Sequence, residues 1–155
     1  MTTSFENAQE AIVLMAEDNP AEQRLAQRAL GRGIVRCDLR MVSDGEEALN
    51  YLFRKGEYAD ASKSPRPDLV LIDLNMPKVD GRQLLSRMKQ DSSLRKIPVV
   101  VLTTSKEEQD IIRSYDLGCN SFMSKPIGVN DFVIALQSLG AYWFKLVVLP
   151  SRNEG

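Results

Sequence analysis

Three short runs of consecutive apolar residues recur along the chain, at positions 12–16, 69–72 and 99–102. Short apolar runs that do not alternate with polar residues are typical of parallel strands buried on both faces. Two further strand candidates, residues 37–42 and 121–124, mix polar and apolar positions, which suits the edges of a sheet. The pattern therefore predicts a sheet with three central and two edge strands.

Helical patterns with start and stop signals lie between these strands. Asn19 followed by Pro20 predicts the start of the first helix. Residues 44–47 and 105–108 have the spacing of a capping box, which predicts the starts of the second and fourth helices. Gly56 is expected to end the second helix. Apolar stripes mark the third and fifth helices, at Leu84, Leu85 and Met88 and at Phe132, Leu136 and Leu139.

Strands and helices alternate five times, which predicts an α/β fold with a doubly wound, five-stranded parallel sheet. Right-handed crossovers and the two mixed edge strands favour the flavodoxin-like strand order 2-1-3-4-5. We expect a polar N-terminal tail at residues 1–10, one domain at 11–140, and an apolar and aromatic C-terminal extension at 141–155. Residues 56–67 are predicted to form a long polar loop.

Composition narrows the possible functions. The 155 residues include 20 Lys plus Arg and 21 Asp plus Glu, so the net charge is −1, which argues against nucleic-acid and membrane-surface binding. The absence of His excludes Ser-His-Asp and Cys-His catalysis, and two Cys are too few for a disulfide framework. Because the chain shows no signal peptide and no membrane-length apolar run, a cytoplasmic location is expected.

Chemically active residues follow four of the predicted strands. Glu17 and Asp18 follow strand one, Asp73 and Thr103 end strands three and four, and Lys125 follows strand five. A single acidic residue at a strand end is usually a helix cap or a solvated turn. Here the carboxyl ends of parallel strands bring the whole set to one edge of the sheet. Three carboxylates without His or thiol ligands predict Mg²⁺, and a lysine with a hydroxyl suits a phosphoryl group.

This set resembles the receiver domain of the two-component response-regulator family. The resemblance covers about residues 10–140. It rests on the acidic pair at 17–18, on Asp73 followed by the MPKVDG run at 76–81, on Thr103, and on Lys125 with Pro126. The intervals between the last three sites, 73 to 103 and 103 to 125, are also typical of receivers.

The resemblance implies a phosphorelay function. Asp73 would accept a phosphoryl group from a histidine kinase, and Thr103 and Lys125 would contact the phosphoryl oxygens. Mg²⁺ would be bound by Asp18 and Asp73 directly, by Glu17 through water and by the backbone carbonyl of Asn75. Such a protein is not an enzyme in the ordinary sense, because it catalyses only its own phosphorylation and dephosphorylation.

The resemblance also implies how the signal is read. The hydroxyl of Thr103 and the aromatic ring of Phe122 would act as switch residues. They would alter a surface formed by the predicted fourth helix, strand five and fifth helix. The plainer interpretation of Phe122 is an ordinary aromatic residue on an edge strand.

The C-terminal extension carries Tyr142, Trp143 and Phe144, which continue the apolar stripe of the fifth helix. It either packs on its own domain or forms an intermolecular surface. Together with the 56–67 loop, it resembles the single-domain regulators that are paired with bacterial phytochromes. That resemblance implies a phytochrome-type light-sensing kinase as partner and a homodimer.

Two other classes of function remain open from the sequence. A phosphatase of the haloacid-dehalogenase type also uses an Asp nucleophile with Mg²⁺. Its motif has a second Asp two positions later, where this chain has Asn75, and it places the nucleophile after the first strand. A binding module that is never phosphorylated is the other alternative. A nucleotide-binding enzyme is disfavoured, because no glycine-rich loop follows strand one.

Overall fold

A computed structural model describes residues 11–30, 37–74, 76–104 and 121–125. It contains one five-stranded parallel sheet in the order β2-β1-β3-β4-β5, which confirms the predicted fold and strand order. The predicted apolar and mixed runs agree with the strand bounds to within one residue. The strands are β1 (Ala11–Ala16), β2 (Cys37–Val42), β3 (Leu69–Asp73), β4 (Val99–Thr103) and β5 (Ser121–Ser124).

The core lies on both faces of the sheet. Every residue of β3 and β4 is buried, which explains why these runs show no polar alternation. Along β1, Leu14 belongs to one apolar cluster, whereas Val13 and Met15 belong to another. Since successive side chains of a strand point to opposite faces, the two clusters lie on opposite sides of the sheet.

Among the described residues, three helices cover these faces: α1 (Pro20–Leu30), α2 (Gly45–Phe53) and α3 (Gly81–Gln90). Ala26 and Leu30 of α1 join the cluster that contains Val13. Leu52 of α2 and Leu84 of α3 join the cluster that contains Leu14. The described helices therefore occupy both sides of the sheet, as a doubly wound fold requires.

The helix starts follow the predictions in part. Asn19 caps α1, because its Oδ1 accepts hydrogen bonds from the backbone N–H of Ala21 (2.8 Å) and Glu22 (3.2 Å). Asp44 accepts a 2.7 Å bond from the N–H of Glu47, which is half of the predicted capping box. The other half is absent, since Glu47 accepts its backbone hydrogen bond from Ser43 instead.

The prediction that Gly56 ends α2 is wrong. The helix ends at Phe53, and Arg54 adopts the left-handed conformation with φ 55°. The backbone N–H of Arg54 bonds to the carbonyl of Tyr51 at 3.3 Å, which closes the final turn. A non-glycine residue in this conformation is uncommon, so the later glycine was the stronger sequence signal.

The segment predicted as a long polar loop contains two short 3-10 helices, Gly56–Tyr58 and Ala61–Lys63. Hydrogen bonds join this segment to α2, and others lie within it. The hydroxyl of Tyr51 donates to the carbonyl of Pro65 at 2.7 Å, and the hydroxyl of Ser64 donates to the carbonyl of Tyr58 at 2.9 Å.

Several predicted elements lie outside the described residues. These are the N-terminal tail, the fourth and fifth helices, and the C-terminal extension. Within the part of the chain that the structure describes, no helix is long and apolar enough to cross a membrane.

Candidate functional site

Strand register brings the predicted residues to one edge of the sheet. The pairing of β1 with β3 ends at Ala16 opposite Ile72, so Glu17 and Asp73 follow side by side. On the other flank of β3, Asp73 pairs with Leu102 of β4, and Thr103 comes next. The backbone N–H of Lys125, just past β5, donates to the carbonyl of Thr103 at 2.9 Å. Four strand ends therefore converge, as the sequence predicted.

The ammonium group of Lys125 joins two of the acidic residues. Its Nζ lies 3.1 Å from Oε1 of Glu17 and 3.1 Å from Oδ2 of Asp73. Their side chains are 11%, 0% and 5% exposed, respectively, so the three charges are largely shielded from water. Burial opposes the charge of the lysine, but the hydrogen bonds and charges of the two carboxylates outweigh it, and the pKa of Lys125 is raised.

The carboxylate of Glu17 is the most confined of the group. Its Oε2 accepts a hydrogen bond from the backbone N–H of Asn19 at 3.1 Å, while Oε1 faces Lys125. Burial raises the pKa of Glu17 to about 7, and the nearby charge of Asp73 adds to that effect. The hydrogen bonds from Asn19 and Lys125 oppose the shift, so the ionised form depends on nearby positive charge.

Glu17, Asp18 and Asp73 can direct carboxylate oxygens to one point. One oxygen from each lies within 4.8 Å of the other two, and Asp18 is the exposed member. Three oxygen ligands with one open side fit a hard divalent cation such as Mg²⁺, which retains several waters. Asn75, the fourth predicted ligand, lies outside the described residues.

Gly81, the first residue of α3, packs closely against the backbone of Asp73 and Leu74. Its N–H donates to the carbonyl of Leu74 at 3.0 Å. A Cβ atom at position 81 would lie 2.5 Å from the carbonyl oxygen of Asp73 and 2.8 Å from Cα of Leu74. Only glycine fits this close approach. The sequence places this glycine in the MPKVDG run but does not predict its contact with Asp73.

Gln23 of α1 is a supporting residue that the sequence analysis missed. Its side-chain amide donates to the backbone carbonyl of Glu17 and, at 3.2 Å, to the hydroxyl of Ser43. It thereby ties together the segments that follow β1 and β2. No sequence signal marks it, because a glutamine on a helix is usually solvated.

The sequence model of the response regulator receiver domain family matches residues 13–137. The chain belongs to this family. It is 41% identical over 140 residues to response regulator Rcp1 of Synechocystis sp., which covers 90% of this chain and 93% of Rcp1. A receiver is not a conventional enzyme, so this family assignment disfavours the haloacid-dehalogenase alternative.

Solved structures of phytochrome response regulators resemble this receiver. The bacteriophytochrome response regulator AtBRR is 41% identical with a TM-score of 0.82, over 94% of this chain and 100% of AtBRR. The phosphorylated cyanobacterial phytochrome response regulator RcpA is 43% identical with a TM-score of 0.71, over 92% and 100%. A structure of Rcp1 contains Mn²⁺; it is 40% identical with a TM-score of 0.68, over 91% and 99%.

The remaining predicted residues of the receiver are described only in part. Thr103 is 1% exposed at the end of β4. Phe122 lies on β5 opposite Val101, and only its backbone is described. Tyr142, Trp143 and Phe144 lie outside the described residues. The switch and interface assignments stay predictions.

Proposed function

We propose that this receiver accepts a phosphoryl group from a histidine kinase on Asp73 and relays the signal to a partner surface. One observation carries the proposal. The shielded carboxylate of Asp73 lies 3.1 Å from the ammonium of Lys125 and shares an acidic cluster with Glu17 and Asp18. A reactive carboxylate, a cation and a metal-binding set are thus combined at one sheet edge.

Each residue has a distinct role in the proposed reaction. An oxygen of Asp73 forms a bond to phosphorus while the bond from phosphorus to the donor's imidazole nitrogen breaks, which leaves an acyl phosphate. Lys125 and Thr103 stabilise the transferred oxygens by charge and hydrogen bonding. Water later cleaves the acyl phosphate, which restores the carboxylate and releases inorganic phosphate.

The acidic cluster makes this transfer possible. Glu17, Asp18, Asp73 and the backbone carbonyl of Asn75 would hold Mg²⁺. A bound ion would supply positive charge that offsets the repulsion between the attacking carboxylate and the phosphoryl oxygens. Glu17 is buried and Asp18 is exposed, so the cluster is open to solvent on the side of Asp18.

A phosphohistidine donor would lie on another protein, since this chain contains no His. The names of AtBRR and RcpA support a phytochrome-type histidine kinase as that partner. The 56–67 segment and the 141–155 extension, which resemble regulators of this type, also support it. We place the reaction in the cytoplasm, where such a kinase would present its phosphohistidine.

Thr103 and Phe122 would transmit phosphorylation of Asp73 to the partner surface. In this proposal, the hydroxyl of Thr103 moves towards the phosphoryl group and the ring of Phe122 changes rotamer. The surface formed by the predicted fourth helix, β5 and the predicted fifth helix then shifts between two states. A homodimer through this surface and the C-terminal extension would transmit the change.

Labelling with acetyl phosphate and Mg²⁺, measured by intact mass, tests the acceptor. Wild type should gain one phosphoryl group, and Asp73→Asn should gain none. Asp38→Asn is the control, because Asp38 pairs with Arg40 on β2 away from the cluster. Undiminished labelling of Asp73→Asn would show that another residue is the acceptor. An unlabelled wild type would favour the phosphorylation-independent module, and turnover of a generic phosphate ester would favour a phosphatase.

A further inference from the structure

An open surface groove of about 400 Å³ lies between helices α2 and α3. Leu49 of α2 and Val79, just before α3, provide its aliphatic surface. The polar side chains all come from α3, in the stripe opposite its buried face: Arg82, Gln83, Ser86 and Arg87.

The groove carries two arginines, and the nearest acidic residue before α3, the N-cap Asp80, is bonded to Gln83 rather than to either of them. Arg82 and Arg87 are exposed, and neither forms an ion pair with any residue that the structure describes. The guanidinium of Arg87 lies 5.4 Å from the ring centre of Phe53, and Nζ of Lys55 lies 5.8 Å from the same ring. Two cations are therefore held against an aromatic surface beside the groove.

The two acidic side chains of α2 have partners outside the groove. Glu46 pairs with Lys78 at 3.4 Å, and Glu47 accepts a 2.6 Å hydrogen bond from the hydroxyl of Tyr58. α3 itself contains no acidic residue. The groove thus presents arginine donors to the solvent rather than to its own helices.

We propose that this groove binds an acidic segment of a partner protein. Carboxylates of that segment would bond to Arg82 and Arg87, and an apolar side chain would pack on Leu49 and Val79. A nucleic acid fits less well, because the floor is aliphatic and the chain carries a net charge of −1. The proposal does not depend on phosphorylation of Asp73.

Selection of random dodecapeptides displayed on phage tests the proposal. Wild-type protein is the target, and the Arg82→Glu/Arg87→Glu double variant serves for counter-selection. We expect the recovered peptides to be enriched in Asp and Glu around an apolar residue. Fluorescence anisotropy with the synthetic consensus peptide should then show affinity weakened by on the order of tenfold or more in the double variant.

Arg95→Glu/Lys96→Glu is the matched control, because it makes the same charge change at two exposed residues outside the groove. This control should retain wild-type affinity, and circular dichroism should show that both double variants are folded. The proposal is wrong if no acidic consensus emerges, or if both double variants lose affinity equally. Preferential binding of a DNA or RNA oligonucleotide at the groove would also overturn it.

Discussion

At Glu17 the chain buries a carboxylate completely and places a second one, Asp73, beside it. A buried charge is costly unless a partner compensates it. Lys125 supplies one compensating charge, and a backbone N–H supplies a hydrogen bond. The site therefore combines repulsion between two carboxylates with the attraction of both to one lysine. Removing any one of these charges should change metal affinity or stability by a measurable amount.

Asp18 is the member of the cluster that solvent reaches. We predict that Asp18→Asn weakens Mg²⁺ binding by about tenfold or more, because affinity for a hard cation depends on the number of charged ligands. Isothermal titration measures the change. Glu57→Gln, which removes an exposed carboxylate from the first 3-10 helix, is the control and should bind as wild type does. An unchanged affinity in Asp18→Asn would place the cation elsewhere.

Lys125→Met removes the cation that lies between the carboxylates of Glu17 and Asp73. In the presence of a chelator, we expect a loss of about 2 kcal/mol in the free energy of unfolding. Mg²⁺ should stabilise this variant more than wild type, because it replaces the missing charge. Urea denaturation with and without Mg²⁺ tests both statements. A loss no larger than that of the exposed control Lys96→Met would contradict the prediction.

The sequence predicted that these residues lie close together, because a parallel sheet fixes where its strands end. Strand positions and strand order are enough to predict that Glu17, Asp73 and Lys125 come together. The support from Gln23 and the contact at Gly81 were not predictable in this way. They depend on side-chain reach and backbone approach across loops, which hydrophobic periodicity does not encode.

At the scale of elements, the first turn of α3 and the end of β3 are in direct backbone contact. Gly81→Ala would force a Cβ atom against the carbonyl of Asp73. We predict a stability loss of about 1–3 kcal/mol together with reduced acetyl phosphate labelling, because the backbone of Asp73, the proposed acceptor, must move. Thermal unfolding and intact mass measure the two effects.

Gly56→Ala is the control for Gly81→Ala, because it tests the backbone cost of replacing a glycine without a contact to Asp73. Gly56 has φ +61°, and among the described residues beyond its two chain neighbours, no atom lies within 4 Å of the position its Cβ would take. We expect this control to lose stability through the left-handed backbone alone and to keep full labelling. Equal labelling by the two variants would show that the glycine contact does not position Asp73.

The hydroxyl of Tyr58 connects the first 3-10 helix to α2 by a 2.6 Å hydrogen bond to Glu47. Burial raises the pKa of Tyr58, and the bond and charge of Glu47 raise it further. The folded state therefore holds this proton more tightly than the unfolded state. The resulting stability is fully present below the unfolded value of about 10 and is lost as the pH rises above it.

Tyr58→Phe should lower the free energy of unfolding by about 1 kcal/mol at pH 7. Between about pH 9 and 11, wild type should lose more stability than the variant, because only wild type carries this phenol. Urea denaturation at the three pH values gives the comparison. Parallel losses in both proteins would mean that the hydrogen bond to Glu47 does not control the titration.

Element boundaries were predicted less well than element order. The capping signal at Asp44 is real, but Glu47 is engaged by Ser43 and Tyr58, so the reciprocal bond is missing. The complete capping box lies at Asp80 and Gln83, which the sequence analysis did not identify. Whether a cap forms depends on which nearby donors bond to the capping side chain. That choice depends on the loop conformations, which the local sequence pattern does not give.

At the scale of the whole molecule, the remaining prediction concerns assembly. Burying one aromatic residue removes roughly 150–250 Å² from water, at about 25 cal/mol per Å². The extension carries Tyr142, Trp143 and Phe144 together, so covering it with a second copy would be favourable. Twofold symmetry would bury the same patch on each chain.

We therefore predict a homodimer without phosphorylation, and a shift towards monomer in Trp143→Ala/Phe144→Ala. Gel filtration with light scattering measures the mass, and acetyl phosphate labelling of Asp73 should be unchanged. Phe5→Ala, in the predicted N-terminal tail, is the control for removing an aromatic residue. A wild-type monomer at tens of micromolar with an extension protected from hydrogen exchange would show that the extension closes its own domain.

Glu17 and Asp73 share one lysine as their ion-pair partner, and this has an evolutionary consequence. Natural selection retains such a cluster only while its chemistry is needed, since neutral side chains at these positions would remove a buried like-charge repulsion. A duplicated copy of this gene that no longer receives a signal would therefore become more stable by losing an acidic residue. We expect its first substitutions to accumulate at the strand ends, while the apolar strands that built the edge persist.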